Sequence, residues 1–286
     1  MPDTNDIIAR LAASAQRIEI VDDGCPIVWR IWGKGPPLVL LHGASGSWTH
    51  WIRNIETLAK QRQLLVPDLP GNGESGLPET CDHETFQRLL AAGLRALAGA
   101  HLPLDIVGFS LGGMVGAHIA ARNPDLARRL ILVDTGGLVP PVVPVARNPQ
   151  QTTGNSGNNS DKRAVARERL LDYMLHSPDS VDDLALDLLG TSAKQCRIDI
   201  MTLAGFIIPN RLAAILPEVG CQVDAIWGEH DRLLPDPAVQ LAMLRRFKPD
   251  AEMRVLPQAS HWVMYEAATG FNQALTDMLN AGLRAG

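Results

Sequence analysis

Apolar residues recur at helical spacing at Ile7, Ile8, Leu11 and Ala15, with Asp6 placed to cap that short helix. Two alternating runs follow, Arg17–Val21 and Pro26–Trp32, on either side of Asp22-Asp23-Gly24, which is the pattern of a β-hairpin. From Pro37 onward the pattern changes to a short, wholly apolar run followed by an amphipathic one, repeated along the chain. That alternation predicts a parallel sheet covered on both faces. The strand runs are Leu38–Leu41, Leu64–Pro67, Leu104–Val107, Leu130–Val133, Gln222–Trp227 and Glu252–Leu256. Helical runs occupy the gaps at Trp48–Lys60, Glu84–Gly99, Leu111–Asn123, Pro237–Phe247 and Thr269–Leu283. With the hairpin, the expected fold class is α/β, a mostly parallel sheet of about eight strands with helices on both faces.

The alternation breaks between Val133 and Gln222, where about ninety residues pass without a strand signal. We therefore expect a core domain made of residues 1–136 and 218–286, interrupted by a helical cap insertion at 137–217. The insertion opens with Val139-Pro140-Pro141-Val142-Val143-Pro144 and runs into a polar tract, 148–161, too poor in apolar residues to order itself, hence an expected mobile loop. Helical spacing returns at Arg163–Met174, Val181–Leu189 and Ile198–Ile208, the last ahead of Pro209.

Composition narrows the class of protein. Of 286 residues, 46% are hydrophobic, ample for a packed core, and the net charge of -5 comes from acids and bases mixed along the chain. Without a basic stripe, nucleic acid and anionic membrane are not expected partners. No apolar run approaches the roughly 20 residues of a membrane helix. The first residues, Met1-Pro2-Asp3-Thr4-Asn5-Asp6, are polar and acidic where a secretory signal is basic and then apolar, so the expected location is cytoplasmic. Cys25, Cys81, Cys196 and Cys221 are scattered without a CxxC pair, as expected of free thiols. The eight histidines form no HExxH-like set and no GxxxxGK[ST] cradle occurs, so neither metal nor cofactor is expected. Oligomeric state, a homo-oligomer included, stays open.

The chemistry centres on Gly108-Phe109-Ser110-Leu111-Gly112, which follows an apolar strand run and leads into a helical one. A serine flanked in this way sits on a tight turn, its hydroxyl projecting from the strand end and the next helix's N-terminus aimed at the same spot. A serine hydroxyl needs an imidazole to take its proton and a third group to fix that ring's tautomer. Asp231, in Gly228-Glu229-His230-Asp231, and His261, in Gln258-Ala259-Ser260-His261-Trp262, both follow strand runs, in the order nucleophile, acid, base. Asp134, just past Val133, is the alternative acid, and His230 is expected to be a loop residue. After the first core strand, His42-Gly43-Ala44-Ser45-Gly46 offers the Ala44 N–H, which with the Leu111 N–H would form an oxyanion hole. His42 is expected to brace that loop.

These motifs, with Asp68-Leu69-Pro70-Gly71-Asn72-Gly73-Glu74-Ser75, resemble the α/β-hydrolase-fold serine hydrolases over essentially the whole chain. The resemblance implies an eight-stranded α/β-hydrolase sheet and places the Asp68–Ser75 turn in the pocket wall, with Asp68 not required for catalysis. Cap placement and His261-Trp262 are similar to the meta-cleavage-product hydrolases, which cleave carbon-carbon bonds in aromatic ring-fission products. Those enzymes usually carry asparagine before the nucleophile and a cap arginine for the substrate carboxylate. Here Phe109 precedes Ser110, and 170–196 contains no arginine, leaving Arg169 and Arg197 at its ends.

An apolar site walled by Phe109, Trp262, Met114 and Phe206, with Ser45 at its edge, suits an uncharged ester, thioester or lactone. Met114, Phe206, Trp48 and Trp51 also fit plain core positions. The expected partner is thus a small-molecule carbonyl substrate and the expected activity that of a serine esterase. Carbon-carbon bond hydrolysis of 2-hydroxy-6-oxo-dienoate-type products is the alternative, and a non-catalytic small-ligand receptor on the same fold is the second.

Overall fold

The computed structural model describes residues 4–139, 159–206 and 211–281. The chain opens with α1 (Thr4–Ser14), then the hairpin β1 (Gln16–Asp22) and β2 (Cys25–Trp32), followed by β3 (Pro37–Leu41). A 3-10 turn at Trp48–Trp51 leads to α2 (Ile55–Leu58), β4 (Gln63–Pro67), α3 (His83–Ala98), β5 (Leu104–Phe109), α4 (Leu111–Arg122) and β6 (Ala127–Val133). The long interruption carries α5 (Asn159–Arg169), α6 (Asp183–Gln195), α7 (Ile200–Gly205) and α8 (Arg211–Ile215). The chain then returns through β7 (Gln222–Gly228), α9 (Pro237–Arg245), β8 (Met253–Leu256), α10 (Val263–Glu266) and α11 (Ala268–Ala281). Residues 148–158 of the expected mobile tract, the Pro-rich opening from Pro140 on, and 207–210 lie outside the described residues.

The eight strands form one sheet in the order β1-β2-β4-β3-β5-β6-β7-β8. The hairpin pairs antiparallel and β2 joins β4 antiparallel; every later pairing is parallel. Both faces of the central strands are buried, and alternate residues feed different cores. In β3, Val39 and Leu41 face the core that holds Trp29, Phe86 and Leu90, whereas Leu38 and Leu40 face the one that holds Trp51, Phe271 and Leu275. This period of two, filled with apolar residues on both sides, explains why the runs read as continuous rather than alternating. One helical expectation was too long: Trp48–Lys60 is a 3-10 turn and a single α-turn, separated at Arg53-Asn54. Asn54 is buried there, and its side chain donates to Met264 O and to the Asn272 side chain, both at 2.9 Å.

The Asp68–Ser75 turn is built around a buried carboxylate. Asp68 accepts from Trp48 N at 2.9 Å, from Glu74 N at 3.1 Å and from Arg30 Nη1 at 3.1 Å. Asp68 is 1% exposed and Arg30 5%. Four elements therefore meet at one charge: β2, the loop after β3, the end of β4 and the turn itself. Replacing Asp68 by Ala leaves Arg30 Nη1 and two backbone N–H groups without their acceptor, Glu74 keeping only Arg30 Nη2. We expect Asp68→Ala to cost about 3–5 kcal/mol, read from the shift in a urea unfolding midpoint.

Candidate active site

Ser110 sits at the junction of β5 and α4 with φ of +50° and ψ of -115°, a region that side-chain-bearing residues rarely adopt. Its N–H donates to Val133 O at 2.8 Å, which anchors the turn to the neighbouring strand. The flanking glycines are required by close backbone approach. A Cβ on Gly108 would lie 2.4 Å from Gly112 O, and one on Gly112 would lie 2.4 Å from Leu41 O. With the turn this tight, Ser110 remains partly exposed although β5 and the first turns of α4 are buried. As the first residue of α4, Leu111 has an N–H with no intrahelical acceptor.

Three side chains from distant parts of the chain meet at the carboxyl ends of the strands. His261 Nε2 lies 3.1 Å from Ser110 Oγ, and His261 Nδ1 lies 2.8 Å from Asp231 Oδ2. The Asp231 contact leaves the proton on Nδ1 and a lone pair on Nε2, facing the serine hydroxyl. Asp231 Oδ1 accepts from Leu233 N at 2.8 Å and Leu234 N at 2.9 Å, so both oxygens are held. Asp231 is 2% exposed and His261 3%.

Asp134 lies on β7's side of this group and does not take the imidazole. It is fully buried, with φ of +40°, and accepts from Gly228 N at 2.9 Å. Burial, and next to it the charge of Asp231, raise its pKa well above the ordinary carboxylate range. Of the two neighbouring acids, Asp231 is the one that accepts from the imidazole, with Leu233 N and Leu234 N as its further donors.

The loop after β3 is braced from two sides. His42 Nδ1–H donates to Gly43 O at 2.8 Å, and its Nε2 accepts from Leu69 N at 2.8 Å, so His42 is a strut, as the sequence suggested. Ala44 and Ser45 are half-buried, and Ser45 has φ of +52°. On the other side stands His50, a residue the sequence did not single out because it falls within a run that reads as helix. Its Nδ1 accepts from Gly43 N at 3.2 Å, and its ring packs 5.4 Å from Phe109 and 5.3 Å from Trp262.

Of the remaining candidates, Phe109 lies 5.2 Å from the His261 ring. Trp262 is buried, stacked on Tyr265 at 4.2 Å, with its N–H donating to His50 O. Met114 is buried one turn into α4. Phe206 packs on His83 at 4.6 Å and on the core residue Phe86 at 4.8 Å, both at the start of α3. Trp48 and Trp51 are likewise buried. His230 stacks on His176 at 4.0 Å, a loop role. Arg197 donates to the carbonyls of Gly73 and Ser75, which ties it to the 68–75 turn. Arg169 closes α5.

The loops that bear Asp231 and His261 are fastened to the inserted segment. Trp262 N donates to Met174 O at 2.8 Å, and Arg232 donates to Leu171 O. Glu266 accepts from His176 N at 2.9 Å, Ser177 N at 2.8 Å and Ser260 N at 2.8 Å. The only sequence trace of this clamp is an acid five residues beyond His261.

The model of the alpha/beta hydrolase family matches residues 38–274. The chain is 29% identical over 252 residues to the dihydrolipoyllysine-residue acetyltransferase component of an acetoin cleaving system of Pseudomonas putida, covering 86% of this chain and 64% of that protein. It is also 29% identical over 258 residues to a pimeloyl-[acyl-carrier protein] methyl ester esterase of Chromobacterium violaceum, covering 86% of this chain and 95% of the esterase. Further relatives include a lipase of Psychrobacter immobilis and a 2-hydroxymuconate semialdehyde hydrolase of a Pseudomonas species. A thermophilic esterase from Thermogutta terrifontis superposes with a TM-score of 0.74 at 24% identity, covering 93% of this chain and 99% of that one, a likeness of fold. Among the described residues no helix is long and apolar enough to cross a membrane, and no group of three or more His, Cys, Asp or Glu could hold a metal ion.

Asp134 has a consequence for stability. Because its carboxyl pKa is higher in the folded chain than the unfolded value of about 4, its contribution is fully present below that pH and is lost as pH rises through the folded pKa. Asp134→Asn removes this dependence. The difference in urea unfolding free energy, variant minus parent, is expected to move in the variant's favour between pH 4 and pH 8.

Proposed function

We propose, from the premise that the chain belongs to the alpha/beta hydrolase family, that it is a serine hydrolase acting on uncharged esters, thioesters or lactones. The observation that carries this reading is the continuous hydrogen-bonded line Ser110 Oγ, His261, Asp231, at 3.1 and 2.8 Å. In it, His261 Nε2 takes the proton as Ser110 Oγ attacks the substrate carbonyl. Asp231 holds the ring's tautomer and stabilises the imidazolium that forms. The negative oxygen of the tetrahedral intermediate is received by the N–H groups of Leu111 and Ala44, fixed in place before substrate arrives. His261 then gives its proton to the leaving alcohol or thiol, and water, activated by the same imidazole, releases the acyl group.

The segment 137–217 is read as a cap over this site. Its attachment to the acid and base loops through Leu171, Met174, His176 and Ser177 supports that assignment. An uncharged substrate is favoured because Phe109 precedes the nucleophile and Arg197 is engaged with the 68–75 turn, so a dianion would be left without that guanidinium. Carbon-carbon bond hydrolysis stands as the second reading, supported by the relationship to the 2-hydroxymuconate semialdehyde hydrolase.

Ser110→Ala is expected to lower turnover of p-nitrophenyl esters by about 10⁴-fold or more, with an unchanged circular dichroism spectrum and no labelling by a fluorophosphonate probe. Undiminished hydrolysis by that variant would overturn the assignment. Loss of the dienolate absorbance of a ring-fission product faster than ester cleavage would select the second reading.

A further inference from the structure

His261 has two contacts to satisfy at once, 3.1 Å to Ser110 Oγ and 2.8 Å to Asp231 Oδ2, so the place of its backbone decides whether either is made. That backbone belongs to no ladder. β8 ends at Leu256 and α10 begins at Val263, and residues 257–262 between them are turn and loop. Their hydrogen bonds reach other parts of the chain instead. His230 N, beside Asp231, donates to Ala259 O at 2.8 Å, and Trp262 N donates to Met174 O at 2.8 Å. Between these two, Ser260 N donates to Glu266 Oε2 at 2.8 Å.

The carboxylate that holds Ser260 is shared with the inserted segment. Glu266 Oε2 also accepts from His176 N at 2.9 Å, and Oε1 accepts from His176 N at 2.9 Å and from Ser177 N at 2.8 Å. One side chain therefore joins the residue before the imidazole to two residues of the inserted segment, while Met174 O holds the residue after it. Hydrogen bonds to a carboxylate are shorter and stronger than those to a neutral oxygen.

The turn of helix that carries Glu266 is fixed by other contacts. Val263, Met264 and Tyr265 are fully buried. Tyr265 OH donates to Asp182 Oδ1 at 2.6 Å, and Arg53 Nη1 donates to Tyr265 O at 3.1 Å. Removing the Glu266 carboxylate is thus expected to leave α10 seated while releasing the N–H groups of Ser260, His176 and Ser177.

We propose that Glu266 is a positioning residue for His261: it sets the backbone just ahead of the imidazole and makes the seating of residues 174–177 bear on the base's distance from Ser110. The proposal rests on the serine hydrolase reading above and adds to it how the site's base is held. A histidine displaced by a fraction of an ångström leaves substrate binding intact but meets the serine hydroxyl out of line for proton transfer. The loss therefore falls on kcat rather than on KM.

Glu266→Ala is expected to lower kcat for p-nitrophenyl butanoate by about 100-fold, with KM within about threefold of the parent and an unchanged circular dichroism spectrum. The rate of labelling by a fluorophosphonate probe, which also needs Ser110 activated by His261, should fall by a similar factor. Glu266→Gln keeps one of the two acceptor oxygens and is expected to lose about tenfold by both measures, and it carries the test should the alanine variant not fold. A loss confined to KM, or kcat and labelling within about twofold of the parent in the most truncated variant that folds, overturns the proposal.

A spectroscopic readout separates this role from a merely structural one. In protein labelled with ¹⁵N-histidine, the His261 Nδ1–H, held 2.8 Å from Asp231 Oδ2, should move upfield in the Glu266 variants as the ring leaves that oxygen. The resonances of His42, braced by Gly43 and Leu69, should stay in place. An unmoved His261 resonance would also overturn the proposal. Should the parent protein neither hydrolyse the ester nor take the probe, the serine hydrolase reading fails by itself, and the resonance alone decides the role of Glu266.

Discussion

The tight passage from β5 into α4 is the constraint on which the rest of the site depends. Gly108 and Gly112 allow the backbone of α4's first turn to lie against β3 and β5 at distances that no Cβ would tolerate. Ser110 is thereby held in a conformation that its own backbone disfavours, and the surrounding strand pairings over-determine it through the bond from its N–H to Val133 O. The same geometry turns the hydroxyl outward and aims the unpaired end of α4 at the space beside it. A looser turn would supply neither.

Around that turn, buried polar side chains hold the loops. His42 ties the loop after β3 to Leu69, Asp68 ties four segments to one carboxylate, and Glu266 gathers N–H groups from both the inserted segment and the residue before His261. Asp68 and Glu266 each serve several donors from segments far apart in the chain, so the loops at the sheet's carboxyl end are positioned relative to one another as well as to the sheet. Asp134 and Asp231 follow the same logic with opposite outcomes. Two buried carboxyls side by side cannot both ionise cheaply, and burial together with the neighbouring Asp231 charge raises the pKa of Asp134, while Asp231 takes the imidazole and two backbone N–H groups.

Nearly the whole sheet was legible in the sequence, because both of its faces are covered and the strands are therefore unbroken apolar runs such as Leu38–Leu41 and Leu104–Val107. Elements whose bonds are made at a distance were not. Asn54 stands at the break in an apparent helix, and its side chain bonds to Met264 and Asn272, more than two hundred positions away. Phe206, which helical spacing made a pocket candidate, has its ring against His83 and Phe86 instead, and spacing along one helix carries no information about which neighbour that helix meets.

For the proposed site the division is equally physical. Local rules of turn geometry and strand-end placement were enough to identify Ser110, Asp231 and His261 as residues that belong together, since each follows a strand of one sheet. Which of Asp231 and Asp134 takes the imidazole, which nitrogen of His50 carries the proton, and which guanidinium is already engaged were decided only by the folded chain. Protonation and pairing depend on the distance and burial of partners that the primary order leaves unspecified, whereas the pattern of apolar residues depends on the backbone's own periodicity and is written into every segment.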